Sequence, residues 1–492
     1  MSRRTIQALM LSAASFLLAA AVAWGVFGAM PQLEDEHANY FQAKVFASLR
    51  VTADAPRVSP EAFFIPFIIN HNDRLFGKYP PGYPLLLTWG VLIGQPWIIN
   101  ALAAAMTVFG VYLLGRDLFN EDVGLLAASL GAISPMFVLL NGSLLAHTTT
   151  LAEVTIFAWA FVRARRAAER RRLIFAALAG LSIGWAAITR PWTAAAIGAP
   201  FALIALRDLF DHPRVHIRAY AVMLIGTVLI ASILPLYNTL TAGSPTANTY
   251  RLWWPYDSVG FGPGNGRGDE GHTWDKAQLN FNLDFPELGV MLFGWPGVAG
   301  FALSWLPVLL GLGWPPHDKR DWLLMMPPVL LIAAHLAYWA RGGSLYGPRY
   351  YAEAMPFLWL VAARGLIKLS AVKWPRRLIF AALPLLIVYS VVFTIEPRFL
   401  EGADRYARLR VDVNRIAAAR LKHALVFVRA NYWIDYASLA WQNAAMLDAS
   451  NVLYAYDYGS LNNQAIQQAY PGRRVYYYDR TQSVPLVAGR DQ

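Results

Sequence analysis

Long apolar segments alternate with short polar connections from the N-terminus to about residue 395. The first apolar segment extends from about Ala8 to Met30. Further apolar segments follow at about 96–115, 122–140, 144–162, 173–189, 192–207, 219–236, 287–312, 322–339, 350–367 and 377–395. A helix needs about 20 residues to cross a bilayer, and about 17 at the least. The pattern therefore predicts an all-α polytopic membrane protein with about 11 transmembrane helices.

The first apolar segment resembles a signal peptide, because Arg3 and Arg4 precede it. However, the apolar core of a signal peptide is about 7–15 residues long, whereas this segment has roughly 22. We therefore interpret it as a retained first transmembrane helix.

The chain changes character after about residue 397. Short runs of β-branched and aromatic residues at 424–428, 452–457 and 474–478 predict strands, and stretches near 434–447 and 461–469 predict helices between them. This order indicates a small α/β domain with a parallel sheet. The predicted domains are thus a transmembrane domain, residues 1–396, with outer loops 31–84 and 237–286, and a C-terminal extracytoplasmic domain, residues 397–492, which acts as a lid or docking module.

The composition agrees with a membrane protein. Hydrophobic residues make up 57% of the chain and charged residues 15%, whereas soluble proteins carry about 25% charged residues. The net charge of +11 would indicate nucleic acid as a partner in a soluble protein. Here the basic residues cluster between apolar segments, so we expect membrane lipids and no nucleic acid. The absence of cysteine excludes disulfides and a cysteine nucleophile.

Basic residues cluster in alternate connections between the predicted helices. Such clusters mark the cytoplasmic side of a membrane protein. They lie at residues 3–4, 163–172, 207–218, 319–320 and 368–377. We therefore expect a multi-pass protein of the inner (plasma) membrane with a cytoplasmic N-terminus and an extracytoplasmic C-terminus.

Three adjacent acids, Glu34, Asp35 and Glu36, follow the first predicted helix. A carboxylate near a membrane surface, beside other acids and partly desolvated, is suited to act as a general base. The alternative interpretation is a solvated run of interfacial charge.

Two further segments place a cation near the lipid headgroups. In Gly77–Pro84 (GKYPPGYP), consecutive prolines stiffen the chain beside Lys78, which suits binding of a lipid phosphate. In the segment 346–351 (YGPRYY), Arg349 offers a planar fork that also suits phosphate. Arg190 is a similar, weaker candidate. The alternatives are a rigid entry to the next helix for Lys78 and an arginine that extends to the membrane interface for Arg349.

Other titratable residues have weaker signals. His147 begins the fourth predicted helix and Glu153 lies within it; a buried acid inside a membrane is a candidate functional residue, although both residues are also compatible with packing. The Gly-rich loop 260–275 contains Asp269, Glu270 and His272, which could bind a divalent cation. A mobile loop that substrate orders is the better interpretation.

The order of these motifs resembles the GT-C superfamily of membrane glycosyltransferases, over roughly residues 1–400. The group that contains protein O-mannosyltransferases and the lipid A aminoarabinose transferase is the most similar. In this chain Tyr79 separates Lys78 from the two prolines, which directly follow the lysine in the family pattern. The resemblance implies that Asp35 is the catalytic base, that Glu36 and His147 lie near the site, and that Lys78 and Arg349 face the donor phosphate. We further expect Glu36 to take part in catalysis, Tyr346 and Tyr350 to bind the donor phosphate, and Tyr79, His147, Arg190 and His272 to bind substrate.

The resemblance implies an inverting transfer of a sugar from a polyprenyl-phosphate donor to an acceptor hydroxyl on the outer face of the membrane. The acceptor is a lipid, a polysaccharide or a protein, and no cofactor is required beyond a possible divalent cation. Two alternatives stay open: a transporter or flippase for a lipid-linked or anionic solute, and a non-catalytic scaffold whose C-terminal domain recruits envelope proteins.

Overall fold

The computed structural model describes residues 1–298, 301–343 and 345–489, and most of these residues are helical. The helices are α1 (Arg3–Gly25), α2 (Glu34–Ala47), α3 (Gly82–Leu92), α4 (Ile98–Leu118), α5 (Glu121–Ala132), α6 (Pro135–Gly142), α7 (His147–Arg166), α8 (Glu169–Thr189), α9 (Pro191–Asp211), α10 (Pro213–Ala231), α11 (Ile233–Ala242), α12 (Thr249–Trp253), α13 (Trp274–Phe293), α14 (Trp305–Gly313), α15 (Lys319–Leu336), α16 (Met355–Ser370), α17 (Lys373–Ser390), α18 (Glu396–Ala418), α19 (Trp433–Ala440) and α20 (Ser460–Ala469). Short 3₁₀ helices lie at Pro60–Phe63, Arg349–Ala354 and Leu447–Ala449, and a π-helical turn at Val391–Ile395 joins α17 to α18.

Three small sheets accompany the helices in the described ranges. Their strands are β1 (Ala53–Asp54), β2 (Ile68–His71), β3 (Arg74–Gly77), β4 (Gly297–Val298), β5 (Phe301–Ala302), β6 (Ala424–Arg429), β7 (Val452–Tyr456), β8 (Arg474–Asp479) and β9 (Leu486–Ala488). The first sheet has the order β1-β3-β2 and is antiparallel, and β4 pairs with β5. The third has the order β7-β6-β8-β9.

Six helices of the described chain are long and apolar enough to cross a membrane. They are α1, α4, α8, α9, the continuous α10–α11 and the continuous stretch from Ala381 to the end of α18. A seventh span is possible if α5 and α6, which meet at 62°, count as one. The structure thus supports an integral membrane protein, and the count of eleven helices stays a prediction.

Two predicted transmembrane segments are divided: 122–140 by the 62° bend between α5 and α6, and 287–312 by a break after α13. The run 287–312 contains the end of α13 and α14 up to Leu312, with the short strands β4 and β5 between them. Gly294 ends α13 with a φ of +72°, a conformation that favours glycine, and Pro296 follows two residues later. A prediction from apolar length alone missed this break.

The C-terminal region has the three predicted strands and both predicted helices, although α19 ends at Ala440 and is shorter than the predicted stretch 434–447. Strand β6 pairs in parallel with β7 and β8, as expected, and β9 adds an antiparallel edge that we did not predict. This sheet contacts the segment 31–84, which we predicted as the first outer loop: Ile65 belongs to the same apolar cluster as Val426 and Tyr436. Lys44 of α2 also donates hydrogen bonds to the carbonyl oxygens of Trp441 (2.7 Å) and Asn443. The segment 31–84 and the C-terminal region therefore pack against each other.

Candidate active site

A cavity of about 810 Å³ contains most of the predicted site residues. Its walls come from the start of α2, the segment before α3, the N-terminal ends of α7 and α9, the loop before α13 and the residues that follow α15. The predicted site residues that line it are Asp35, Lys78, Tyr79, His147, Arg190, Arg349 and Tyr350. Helix packing thus brings together side chains that are separated by more than 300 positions in the sequence.

Asp35 lies in the first turn of α2, where the positive end of the helix dipole favours an acid. One carboxylate oxygen, Oδ2, lies 2.9 Å from Nη2 of Arg349. The other, Oδ1, accepts a hydrogen bond from the hydroxyl of Tyr79. Each oxygen of a carboxylate has two acceptor positions. Asp35 is therefore held in place and still has capacity to accept a proton from a bound hydroxyl.

Two glycines, Gly77 and Gly82, allow the segment that carries Lys78 and Tyr79 to pack closely against neighbouring helices. Gly77 ends β3, and a β-carbon there would lie 2.8 Å from the carbonyl oxygen of Ala38 in α2. At Gly82, the start of α3, a β-carbon would lie 2.8 Å from the carbonyl oxygen of Ile188. These two contacts fix the segment between β3 and α3 against both α2 and the end of α8.

Lys78 forms a buried ion pair with Asp257, in the loop that follows α12. Its Nζ atom lies 2.7 Å from Oδ2 of Asp257, and the two side chains are 3% and 1% exposed. Four aromatic rings surround the ammonium group, with centroid distances from Nζ of 4.3 Å for Phe67, 4.5 Å for Trp254, 5.0 Å for Tyr250 and 5.8 Å for Tyr79. Burial lowers the pKa of Lys78, and the charge of Asp257 partly offsets that effect.

A second charged cluster lies at the start of α7. Oε1 of Glu353 is 3.2 Å from Nδ1 of His147 and 3.2 Å from Nε of Arg190. Nη1 of Arg190 is also 3.2 Å from Nε2 of His147. Glu353 therefore orients both residues from a position that is fully buried.

Several predicted site residues lie outside the cavity lining. The Glu36 carboxylate is fully buried and accepts hydrogen bonds from the amides of Gln32, Leu33 and Leu144 and from the Tyr406 hydroxyl. Burial raises its pKa, although these donors oppose the shift. The Glu36 side chain thus connects α2 to the segment before α7 and to α18. These contacts indicate a structural role for Glu36 rather than a catalytic one. Tyr346 is likewise buried in the core.

The Gly-rich loop does not form the cation site considered from the sequence. His272 is 1% exposed, stacks on Phe261 and contacts the carbonyl oxygen of Leu336 through Nε2. Asp269 and Glu270 are exposed. Within the described ranges, no group of three or more His, Asp or Glu side chains is arranged to hold a metal ion. His272 is buried whereas Asp269 and Glu270 face solvent, so closeness in the sequence does not bring these three side chains to one site.

Two acids that line or support the cavity have weak signals in the sequence. The signal of Asp257 is its place directly after the aromatic segment 253–256 (WWPY). Glu353 is an acid within a predicted transmembrane segment, the same signal that drew attention to Glu153. Glu153 itself is buried in α7 and does not line the cavity. Glu34 does line it, and burial raises its pKa.

Comparison with known proteins agrees with this architecture. Residues 79–235 match the family of dolichyl-phosphate-mannose-protein mannosyltransferases. The structure of ArnT from Cupriavidus metallidurans bound to undecaprenyl phosphate matches with a TM-score of 0.59 and 13% identity, over 95% of this chain and 93% of that chain. The chain resembles the GT-C membrane glycosyltransferases. The resemblance inferred from the sequence motifs is thereby confirmed.

Two further structures match. ArnT from the same organism in the apo state has a TM-score of 0.57 and 13% identity, over 95% of this chain and 92% of that chain. The archaeal oligosaccharyltransferase AglB from Archaeoglobus fulgidus has a TM-score of 0.49 and 14% identity, over 96% of this chain and 69% of that chain. No curated protein matches the chain in sequence. At 13% identity the similarity to ArnT establishes the fold alone. The reaction has to be inferred from the residues of the site.

Proposed function

We propose that the chain is an inverting membrane glycosyltransferase that moves a sugar from a polyprenyl-phosphate donor to an acceptor hydroxyl. The observation that carries the proposal is the contact between Asp35 and Arg349 in a cavity that Lys78 also lines. A negative group that accepts a proton and cations that face a leaving phosphate are thus within one enclosed space. In the expected topology this space opens to the outer face of the membrane.

Asp35 is the base in the proposed reaction. The acceptor oxygen attacks the anomeric carbon and transfers its proton to the Asp35 carboxylate. The new carbon–oxygen bond forms on the face opposite the breaking bond to phosphate, so the anomeric configuration inverts. The bonding electrons leave with the polyprenyl phosphate, and a phosphate leaves readily as an anion when cations stabilise it.

Lys78 and Arg349 supply that stabilisation in the proposal. Arginine can bind two phosphate oxygens through its planar fork, whereas lysine acts as a compact charge. Tyr350 contributes a ring 5.5 Å from the Arg349 guanidinium carbon. Arg190, held by Glu353, faces the same cavity and is suited to bind the sugar or the acceptor.

The comparisons support a lipid-phosphate donor. The matching family is described by its use of dolichyl-phosphate-mannose, and the ArnT structure contains undecaprenyl phosphate. Both compounds join a long isoprenoid to a phosphate, which fits a cavity at the outer ends of membrane helices. The sugar is a hexose or a pentose, and the acceptor is a lipid, a polysaccharide or a protein.

Asp35→Asn is the direct test, because it removes the base without changing the size of the side chain. Purified protein in lipid vesicles is supplied with a panel of undecaprenyl-phosphate sugars, and the release of undecaprenyl phosphate is measured with acceptor-containing membranes. We expect the rate to fall by roughly 10²–10⁴. Asp54→Asn is the matched control, since Asp54 is exposed and pairs only at the surface with Arg50 at 2.8 Å. Transfer by Asp35→Asn at the wild-type rate would refute the proposal.

The same vesicles distinguish the transporter alternative. A transporter or flippase would move the lipid-linked sugar or an anionic solute across the vesicle membrane without forming a glycosylated product. Uptake that persists in Asp35→Asn, with no product from the wild type, would favour that alternative over the transferase.

A further inference from the structure

Asp257 fills an anion site that three donors from two segments build around it: Lys78 before α3, and the adjacent Tyr338 and Trp339 after α15. Its Oδ2 lies 2.7 Å from Nζ of Lys78. Its Oδ1 accepts hydrogen bonds from the Tyr338 hydroxyl at 2.8 Å and from the Trp339 indole nitrogen at 3.0 Å. A phosphate group presents the same arrangement of adjacent oxygens to donors, so a site of this kind accepts either anion.

Lys78 needs an anion beside it because its surroundings exclude water. Its ammonium group is enclosed by aromatic rings, and among the described residues Asp257 is the carboxylate that lies within 4 Å. A buried lysine without an anion is costly, because the lost hydration is not replaced. Both side chains line the cavity but are almost fully buried, so a donor phosphate that binds the Lys78 ammonium at this position takes the place of Asp257 rather than adding to it.

The segment that carries Asp257 contacts the cavity wall through Tyr256, which packs edge-on against Trp339 at 5.3 Å, through Asp257 itself and through two backbone contacts. The amide of Gly260 donates to the carbonyl oxygen of Ala337 at 2.8 Å, and Val259 forms a bridge with Tyr338. Glycine follows at Gly260, Gly262 and Gly264, each with a positive φ. Such backbone allows the segment to change conformation at low steric cost. A movement of residues 254–262 can thus withdraw Asp257 from Lys78.

We propose that Asp257 occupies the position of the donor phosphate at Lys78, and that donor binding displaces it. This inference rests on the proposed function and adds an internal competitor to it. One negative charge replaces another, so Lys78 stays paired throughout the exchange. After transfer, the return of Asp257 to Lys78, Tyr338 and Trp339 helps to expel the product, polyprenyl phosphate. Asp257 is therefore a positioning residue that sets donor affinity and product release.

Asp257→Asn tests the exchange, because asparagine keeps the size and loses the charge that competes with phosphate. The probe is undecaprenyl phosphate, and its dissociation constant is measured on the full-length protein in detergent. If Asp257 covers the site in nine of ten molecules, its removal tightens binding about tenfold. We also expect slower release of undecaprenyl phosphate. Asp54→Asn, the exposed control, leaves the dissociation constant unchanged.

The double variant Lys78→Gln/Asp257→Asn tests whether the tighter binding depends on Lys78. With Lys78→Gln in place, Asp257→Asn should no longer tighten binding, because the cation for which the two anions compete is missing. Weaker or unchanged binding by Asp257→Asn in the wild-type background would overturn the exchange and leave the proposed function standing. If the wild type and every variant fail to bind undecaprenyl phosphate, the proposed function falls, and the exchange falls with it.

Hydrogen–deuterium exchange on the wild type tests the proposal without a substitution. The Asp257 amide donates to the carbonyl oxygen of Trp254 at 2.8 Å, and the Gly260 amide donates to Ala337. Undecaprenyl phosphate should accelerate exchange in peptides that cover residues 254–262, because the segment loses its anchor at Lys78. Protection or unchanged exchange in these peptides would contradict the displacement.

Discussion

The Arg349 guanidinium lies 2.9 Å from the Asp35 carboxylate, although 314 positions separate the two residues in the sequence. The pair joins the first turn of α2 to the 3₁₀ turn that precedes α16. Arg349 also donates to the carbonyl oxygen of Gly342 at 3.1 Å, where a β-carbon would lie 2.8 Å from the Tyr350 amide nitrogen. The proposed base and a proposed phosphate ligand are thus parts of one rigid unit.

Arg349→Gln should lower kcat by roughly 10²–10³, a loss typical of removing one donor that stabilises developing charge. Since Arg349 also positions Asp35, the losses from Arg349→Gln and Asp35→Asn should be far from additive. Steady-state kinetics on the single and double variants provide the check. A double variant whose loss equals the product of the two single losses would show that the residues act independently.

Tyr79→Phe removes the hydroxyl that donates to Oδ1 of Asp35. A hydrogen bond to a charged group contributes about 1.5–3 kcal/mol, so we expect kcat to fall roughly 10–100-fold. The ring should keep its edge contacts with Phe67 and Tyr250. The melting temperature should therefore change little, and a large drop in it would indicate a structural role instead.

Donor affinity should depend on pH through Lys78. Burial lowers its pKa from the ordinary value of 10.5, and the protonated form binds phosphate. Affinity is thus complete below the lowered pKa and is lost as the pH rises through it, at a lower pH than for an ordinary lysine. Arginine keeps its proton to above pH 12. Lys78→Arg should bind undecaprenyl phosphate with a flat profile from pH 7 to 10, whereas the wild type should weaken; parallel profiles would contradict this.

Glu353→Gln tests the cluster that orients Arg190 and His147. The amide keeps the size of the carboxylate but removes the charge that pairs with Arg190 at 3.2 Å. As a positioning effect, we expect KM to rise about tenfold with a smaller change in kcat, since a hydrogen bond to a charged group contributes about 1.5–3 kcal/mol. Glu353→Asp should recover part of the affinity. Equal losses in kcat and kcat/KM would instead indicate a direct role in the transition state.

Lys44→Met tests the contact between α2 and the C-terminal region. The variant loses two hydrogen bonds to the carbonyl oxygens of Trp441 and Asn443, which leaves buried acceptors without donors at about 1–3 kcal/mol each. Limited proteolysis should then cleave residues 419–489 faster than in the wild type. Lys422→Met, at an exposed lysine of the same region, is the control and should behave as the wild type.

The same lysine makes stability depend on pH. Burial lowers the pKa of Lys44 to about 7, whereas an unfolded lysine keeps its proton to about 10.5. Between these values the unfolded chain binds more protons, so the free energy of unfolding rises with pH in that window and is independent of Lys44 below it. Melting temperatures from pH 7 to 9 should rise more in the wild type than in Lys44→Met. Equal slopes would exclude this contribution.

Apolar length and short polar motifs predicted much of this molecule. The helical membrane character, the positions of β6, β7 and β8 and the resemblance to GT-C enzymes all follow from local patterns, because burial in a bilayer and pairing in a sheet impose periodicities on nearby residues. The break between α13 and α14 was missed, since its signals, Gly294 and Pro296, lie within an otherwise apolar run.

What the sequence by itself determined is which chemical groups the chain possesses and the order in which they occur: an acidic run after the first helix, a lysine beside two prolines and an arginine between tyrosines. Only the tertiary structure decided which members of each run face the cavity. Asp35 faces it while the adjacent Glu36 is a buried connection, because successive residues of a helix point about 100° apart. The partners Asp257 and Glu353 depend on contacts between distant segments, which no local pattern records.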